Sequence, residues 1–202
     1  SGSDEGVVKN GTRALNTLLT HKAPKTMNWT FRELQGEQHR STPFTTLYHG
    51  IKEYFHYYPE LQFSSLEAFT KAGGLPYVYG YYKQRAAQFG FSSQLTKWTM
   101  FTLTRNAIRA NDYTQFDTFV NAFKNTKFIS ELRVSRACSI AEYYAKNTHY
   151  EKAIALFTFL NKLHPDAERP LNGLGNAYKA LKKDKKAATY FKKASKVSAK
   201  KN

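Results

Sequence analysis

Hydrophobic residues near the N-terminus recur at helical spacing and then change period. Val8, Leu15, Leu18 and Leu19 lie close to one face between Val7 and Thr20, which predicts a helix after a turn cluster at Gly2-Ser3-Asp4-Glu5-Gly6. Past a break at His21 to Lys25, apolar Met27, Trp29 and Phe31 alternate with polar residues, the period of two expected of a strand. A polar loop runs from Leu34 to Pro43, and Phe44 to Tyr58 restores helical spacing with Leu47, Ile51, Tyr54 and Phe55 on one side. Helix, strand, loop and helix in this order predict half of an α/β layer, whose lone strand needs a sheet neighbour from elsewhere.

The pattern is helical from there on. A short helix is expected around Leu66 to Lys71, followed by a break at Gly73-Gly74 and an aromatic-rich helix from Tyr77 to Phe89 that ends at Gly90. Gln94 to Ala110 and Tyr113 to Asn125 form a helix pair around Asn111-Asp112. Nearer the C-terminus, two stretches thirty-four residues apart repeat one another: Ala141 pairs with Gly175, Tyr144 with Tyr178, Ala153 with Ala187, Phe157 with Phe191, and Leu160 with Ala194. That spacing of small and aromatic residues is the spacing of a tetratricopeptide repeat, in which antiparallel helices cross at the small positions. Asn111-Asp112-Tyr113 echoes Thr148-His149-Tyr150 at thirty-seven, which makes the preceding pair a degenerate copy. The expected domains are residues 1–62 as the α/β piece, 63–130 as a helical connection with the degenerate repeat, and 131–202 as the repeats.

Composition narrows the function classes. Hydrophobic residues make up 41% of the 202, enough for a packed core. The single Cys138 excludes an intramolecular disulfide and a cysteine-rich zinc site. No apolar run is long enough to span a bilayer, and cellular location stays open between periplasm and cytoplasm. The net charge of +16 invites a nucleic-acid reading, but much of it sits in the lysines after Leu181, which read as a solvated helix face. No zinc finger or aromatic RNA platform accompanies them, so nucleic acid is disfavoured. His49, His56, His149 and His164 form no metal-ligand spacing, no Gly-rich phosphate loop occurs, and no metal or cofactor is expected. Tyr77, Tyr79, Tyr81 and Tyr82 read as core or inter-domain packing in preference to a ligand cleft.

In the order of its elements, the segment up to about residue 58 resembles the end of an α/β-hydrolase domain of the bacterial putative-esterase family that includes siderophore and feruloyl esterases. The residues carrying the resemblance are Gly2 to Gly6, Asn10 to Leu19, Trp29 to Phe31, Gly36 to Ser41, and Leu47-Tyr48-His49-Gly50. It implies that His39 is the catalytic base and that Glu5, or else Asp4, is the acid that orients it. No Gly-x-Ser-x-Gly elbow occurs, so the chain is expected to lack the nucleophile and to need its missing hydrolase half, or a second copy, to cover the strand and act on an ester.

The repeats suggest a different activity. Such arrays hold an extended peptide against the first helix of each pair, and by family analogy the second copy presents Arg169, Asn172, Asn176 and Lys179 there. The first copy presents Ser135, Cys138, Glu142 and Ala145, without a matching cation. The fold expected is thus an α/β piece followed by an all-α repeat domain. The reading is the C-terminal portion of a serine esterase, with a non-catalytic module for a peptide or protein partner as the alternative.

Overall fold

The structure is a computed structural model that describes residues 2–38 and 40–200, with the backbone alone for Gly2 to Glu5. It divides into a unit ending at His56 and a unit beginning at Tyr57.

The first unit holds α1 (Gly2–Lys22) and α2 (Thr42–Tyr54), joined by an irregular segment. Pro43 stands in the first turn of α2, where its missing N–H costs nothing. Arg13 of α1 donates from Nε and Nη2 to the two carboxylate oxygens of Glu33, at 2.5 and 3.0 Å. Arg32 likewise donates to Glu53 at 3.2 Å. Among the described residues of this unit none is buried, and Val8, Leu15, Leu18, Leu47 and Ile51 are each about half exposed or more.

The expected α/β layer is absent, because the described residues contain no strand. Met27, Trp29 and Phe31 lie in the irregular segment. Three alternating apolar residues make a strand only when a neighbour takes up the backbone N–H and C=O groups, and no such neighbour is present among the described residues. Gly2 to Gly6, read as a turn, opens α1 instead. Serine and aspartate favour turns and the first positions of helices alike, so composition did not separate the two. Asp4 and Glu5 therefore stand in a helix and not on a loop at a sheet edge, and His39 lies outside the described residues. Without a sheet the resemblance to an α/β-hydrolase fails, and with it the esterase reading, its ester substrate and its missing half.

The second unit runs α3 (Leu66–Lys71), α4 (Gly74–Phe89), α5 (Lys97–Arg109), α6 (Tyr113–Phe123), α7 (Phe128–Glu131), α8 (Val134–Lys146), α9 (Tyr150–Leu163), α10 (Glu168–Ala180) and α11 (Asp184–Ala199). Side-chain caps fix several starts: Ser65 accepts from the Ala68 N–H, Thr96 from Thr99 and Asp112 from Gln115. Gly90, left-handed at φ 70°, closes α4.

Three helical hairpins, α5–α6, α8–α9 and α10–α11, turn in the same way. Asn111, Thr148 and Lys182 each take a left-handed backbone, with φ of 53°, 63° and 58°. Each N–H bonds to the carbonyl three residues back, and the next N–H to the carbonyl five back, at distances of 2.9 to 3.1 Å. This is the Schellman closure, here made without glycine. Each first helix starts fourteen residues before its turn residue: Lys97 before Asn111, Val134 before Thr148, Glu168 before Lys182. The three hairpins therefore share one register. The three extra residues that separate the first from the second lie after the hairpin, where α7 is inserted. The chain thus has a tetratricopeptide-like helical-repeat fold.

The core follows from the same pattern. Ala141, Ala153, Phe157, Leu160, Ala187 and Ala194 are all buried, as are Phe116, Phe119, Phe123 and Phe128 in the earlier part. Burying such an aromatic contributes roughly 1.5–3 kcal/mol. Two glycines of α10 set the helix approach: a Cβ on Gly173 would lie 2.4 Å from the Phe157 ring, and one on Gly175 2.5 Å from the Phe191 ring. Tyr81 and Tyr82 are buried, whereas Tyr77 and Tyr79 are exposed.

The irregular stretch from Tyr57 to Ser65 is held by side chains that reach its carbonyls. Arg85 donates to Tyr58 O, Tyr81 to Pro59 O, Thr99 to Leu61 O and Asn106 to Phe63 O, at 3.0, 3.0, 2.7 and 2.9 Å. Buried Thr99 also shares a 2.6 Å bond with the hydroxyl of Tyr82. These bonds satisfy backbone that has no ladder of its own.

Candidate functional site

Successive first helices α5, α8 and α10 together line a cavity of about 250 Å³. Its wall combines apolar Phe101, Ile108 and Ile140 with Ser135, Ser139 and three arginines, Arg105, Arg136 and Arg169. One arginine comes from each hairpin.

The three guanidiniums differ in what holds them. Arg169 donates to both carboxylate oxygens of Glu142, at 2.8 and 2.7 Å, and to Ser139 Oγ at 3.3 Å. This bidentate pair ties α10 to α8, and the Glu142 partnership holds the Arg169 guanidinium above the usual arginine range. With both side chains a little under half exposed, the pair is worth about 0–1 kcal/mol to stability. Arg105 and Arg136 have no carboxylate partner among the described residues. They stand instead against aromatic rings: Arg136 lies 5.0 Å from the centroids of both Trp98 and Phe101, and Arg105 lies 6.0 and 5.7 Å from the same two. The rings are themselves neighbours at 5.5 Å. Arg105 Nε is buried with no hydrogen-bond partner among the described residues. Burial first, and then the charges of Arg109 and Arg136, hold the Arg105 guanidinium below its ordinary value.

The residues expected to face the groove are distributed along this wall and beyond it. Arg169, Asn172, Asn176 and Lys179 make one stripe on α10, of which Arg169 reaches the cavity. Asn172 donates to Glu168 at 2.9 Å, while Asn176 and Lys179 are exposed further along the helix. On α8, Ser135 lines the cavity, Glu142 pairs with Arg169, Ala145 is half-buried, and Cys138 is fully buried. Burial pushes the Cys138 thiol up to about 11. Arg105 and Arg136 went unrecognised in the sequence. The thirty-four-residue register equates Arg169 with Ser135, and the cation comes from the adjacent position and from the degenerate copy. Aligning the three turn residues would have set Lys97 to Arg109 as a first helix and pointed to Arg105.

Among the described residues no group of three or more His, Cys, Asp or Glu stands ready to hold a metal ion, and no helix is long and apolar enough to cross a membrane. A second polar cluster joins the first two hairpins: Asp117 accepts from Lys152 at 2.7 Å and from Tyr144 at 3.0 Å, and Tyr113 stacks on His149 at 4.3 Å. It is an inter-hairpin clasp.

No protein-family model matches the sequence, and no curated protein matches it. Among solved structures, a crystal structure of MamA is similar, at 14% identity and a TM-score of 0.48, over 85% of this chain and 98% of that one.

Proposed function

We propose that the chain is a non-catalytic interaction module that holds an extended, acidic segment of a protein partner in the concavity of α5, α8 and α10. The observation that carries this reading is the cavity wall itself, where arginines from three consecutive first helices converge and two of them have no carboxylate partner among the described residues. A wall of alternating cations and apolar side chains fits a peptide that supplies carboxylates and aliphatic side chains in turn. The stripe of Asn172, Asn176 and Lys179 would extend the contact along α10. Calorimetric titration of the full chain with extended peptides mixing Glu and Leu tests the reading. Saturable binding that weakens with salt and is lost on Arg136→Gln is expected. Equal binding by the variant, or binding by a Lys/Leu peptide of the same length, would overturn it.

A further inference from the structure

The cavity's charge balance says more about its occupant, on the reading that the groove binds a peptide. Glu142 neutralises Arg169 through two short hydrogen bonds, which leaves two positive charges, those of Arg105 and Arg136, for whatever enters. One carboxylate would leave one of these guanidiniums uncompensated in a partly buried place, at a cost in desolvation. Both guanidiniums stand against Trp98 and Phe101, and backing by aromatic rings limits the freedom that such a fork has to lose when it binds. Arg105 Nε, buried and without an acceptor among the described residues, is a donor that an arriving anion can pair.

We propose that this cavity is a site for a phosphorylated side chain, a phosphoserine or phosphothreonine, on the bound segment. A phosphomonoester carries about −1.5 to −2 charges at neutral pH and three acceptor oxygens, which match two cationic forks. The cavity volume of about 250 Å³ takes such a group together with the carbon atoms that bear it, and Phe101 and Ile140 supply apolar contact for those carbons.

Phenyl phosphate is the probe, and Trp98 is the reporter. The chain has two tryptophans, so Trp29→Phe leaves the ring beside both arginines as the single indole. Phenyl phosphate should change its fluorescence saturably, with a Kd at least tenfold below that of benzoate. Arg105→Gln and Arg136→Gln should each weaken that binding at least tenfold with an unchanged helical circular dichroism spectrum. Arg136→Lys, which keeps the charge and loses the fork, should fall between, and it serves if a glutamine variant fails to fold. Benzoate binding as tightly as phenyl phosphate would overturn the proposal, as would isophthalate doing so, since two carboxylates would then suffice. So would no response at all. If the Glu/Leu peptides bind and phenyl phosphate does not, this inference fails while the interaction module stands; if phenyl phosphate binds but neither those peptides nor their phosphoserine-bearing counterparts do, the module falls and the phosphorylated segment falls with it.

Discussion

Replacing Gly173 by alanine tests the packing of the stack at its tightest point. Gly173 is helical, so alanine brings a gain in helix propensity of about 0.5–1 kcal/mol. Against this, the new methyl would lie 2.4 Å from Cε1 and Cζ of Phe157 and 2.7 Å from its Cδ1. Carbons in contact need about 3.5–4.0 Å, so the ring or the helix must move by more than an ångström. Phe157 is 1% exposed and cannot swing into solvent, and overpacking of this kind costs roughly 1–3 kcal/mol. The net expectation is a loss of about 1–2 kcal/mol, or roughly 2–8 °C in Tm for a chain of this size. Gly80 is the internal control: it lies within α4 with nothing within 4 Å of its Cβ position, so Gly80→Ala should stabilise by about 0.5–1 kcal/mol. Urea unfolding followed by circular dichroism measures both. In a double-mutant cycle, Phe157→Leu should recover part of the Gly173→Ala loss. Gly173→Ala as stabilising as Gly80→Ala would refute the close approach of α10 to the Phe157 ring.

Further outcomes follow from other parts of the molecule. Thr99→Val keeps the shape but removes the donor to Leu61 O, while the Tyr82 hydroxyl keeps Thr96 as its other partner, and should cost about 1–3 kcal/mol in the same urea assay. Cys138, raised to about 11 by burial, stabilises the fold fully below its unfolded value; that share is lost as pH rises towards 11, so Cys138→Ala should flatten stability between about pH 9 and 11. Asp117 has its acidity weakened by burial but more than restored by Lys152 and Tyr144, leaving it below the ordinary 3.8. Its stabilisation is therefore present above that value and lost as pH falls through the native one, and an Asp117→Asn difference that persists in strong acid would contradict the clasp. Limited proteolysis should cut first within residues 6–56, where no described side chain is buried, and spare the hairpins; the opposite order would show that the first unit is protected in solution.

What the sequence made legible depended on how many residues had to agree. The repeats rest on five coincident pairs of small and aromatic residues, and helices α8 to α11 realise them because each contact lies with a sequence neighbour. The helix from Leu66 to Lys71 was legible from the Gly-Gly break that follows it, and the structure adds the Ser65 cap at its start. By contrast the strand rested on Met27, Trp29 and Phe31 alone, and the hydrolase on the order of elements that this strand held together. Long-range bonds from Thr99 and Asn106 to the carbonyls near Leu61 leave no mark in periodicity, since those side chains read simply as polar helix residues. Arg105 escaped because the three extra residues after its hairpin hide the shared register, and Arg136 because it stands one place away from the position that the register equates with Arg169.

The last helix gives the stack a direction. Along α11 one side buries Ala187 and Ala194, while Lys185, Lys186, Lys192, Lys193 and Lys196 stand exposed on the remainder. A hairpin array is in principle open-ended, since any helix pair can serve as the template for the next. Five like charges on the outer side make it unfavourable for another copy of the same surface to add there. Pairing of two such faces is thereby discouraged by repulsion, so the lysine excess that suggests a ligand in composition alone also disfavours self-association through α11.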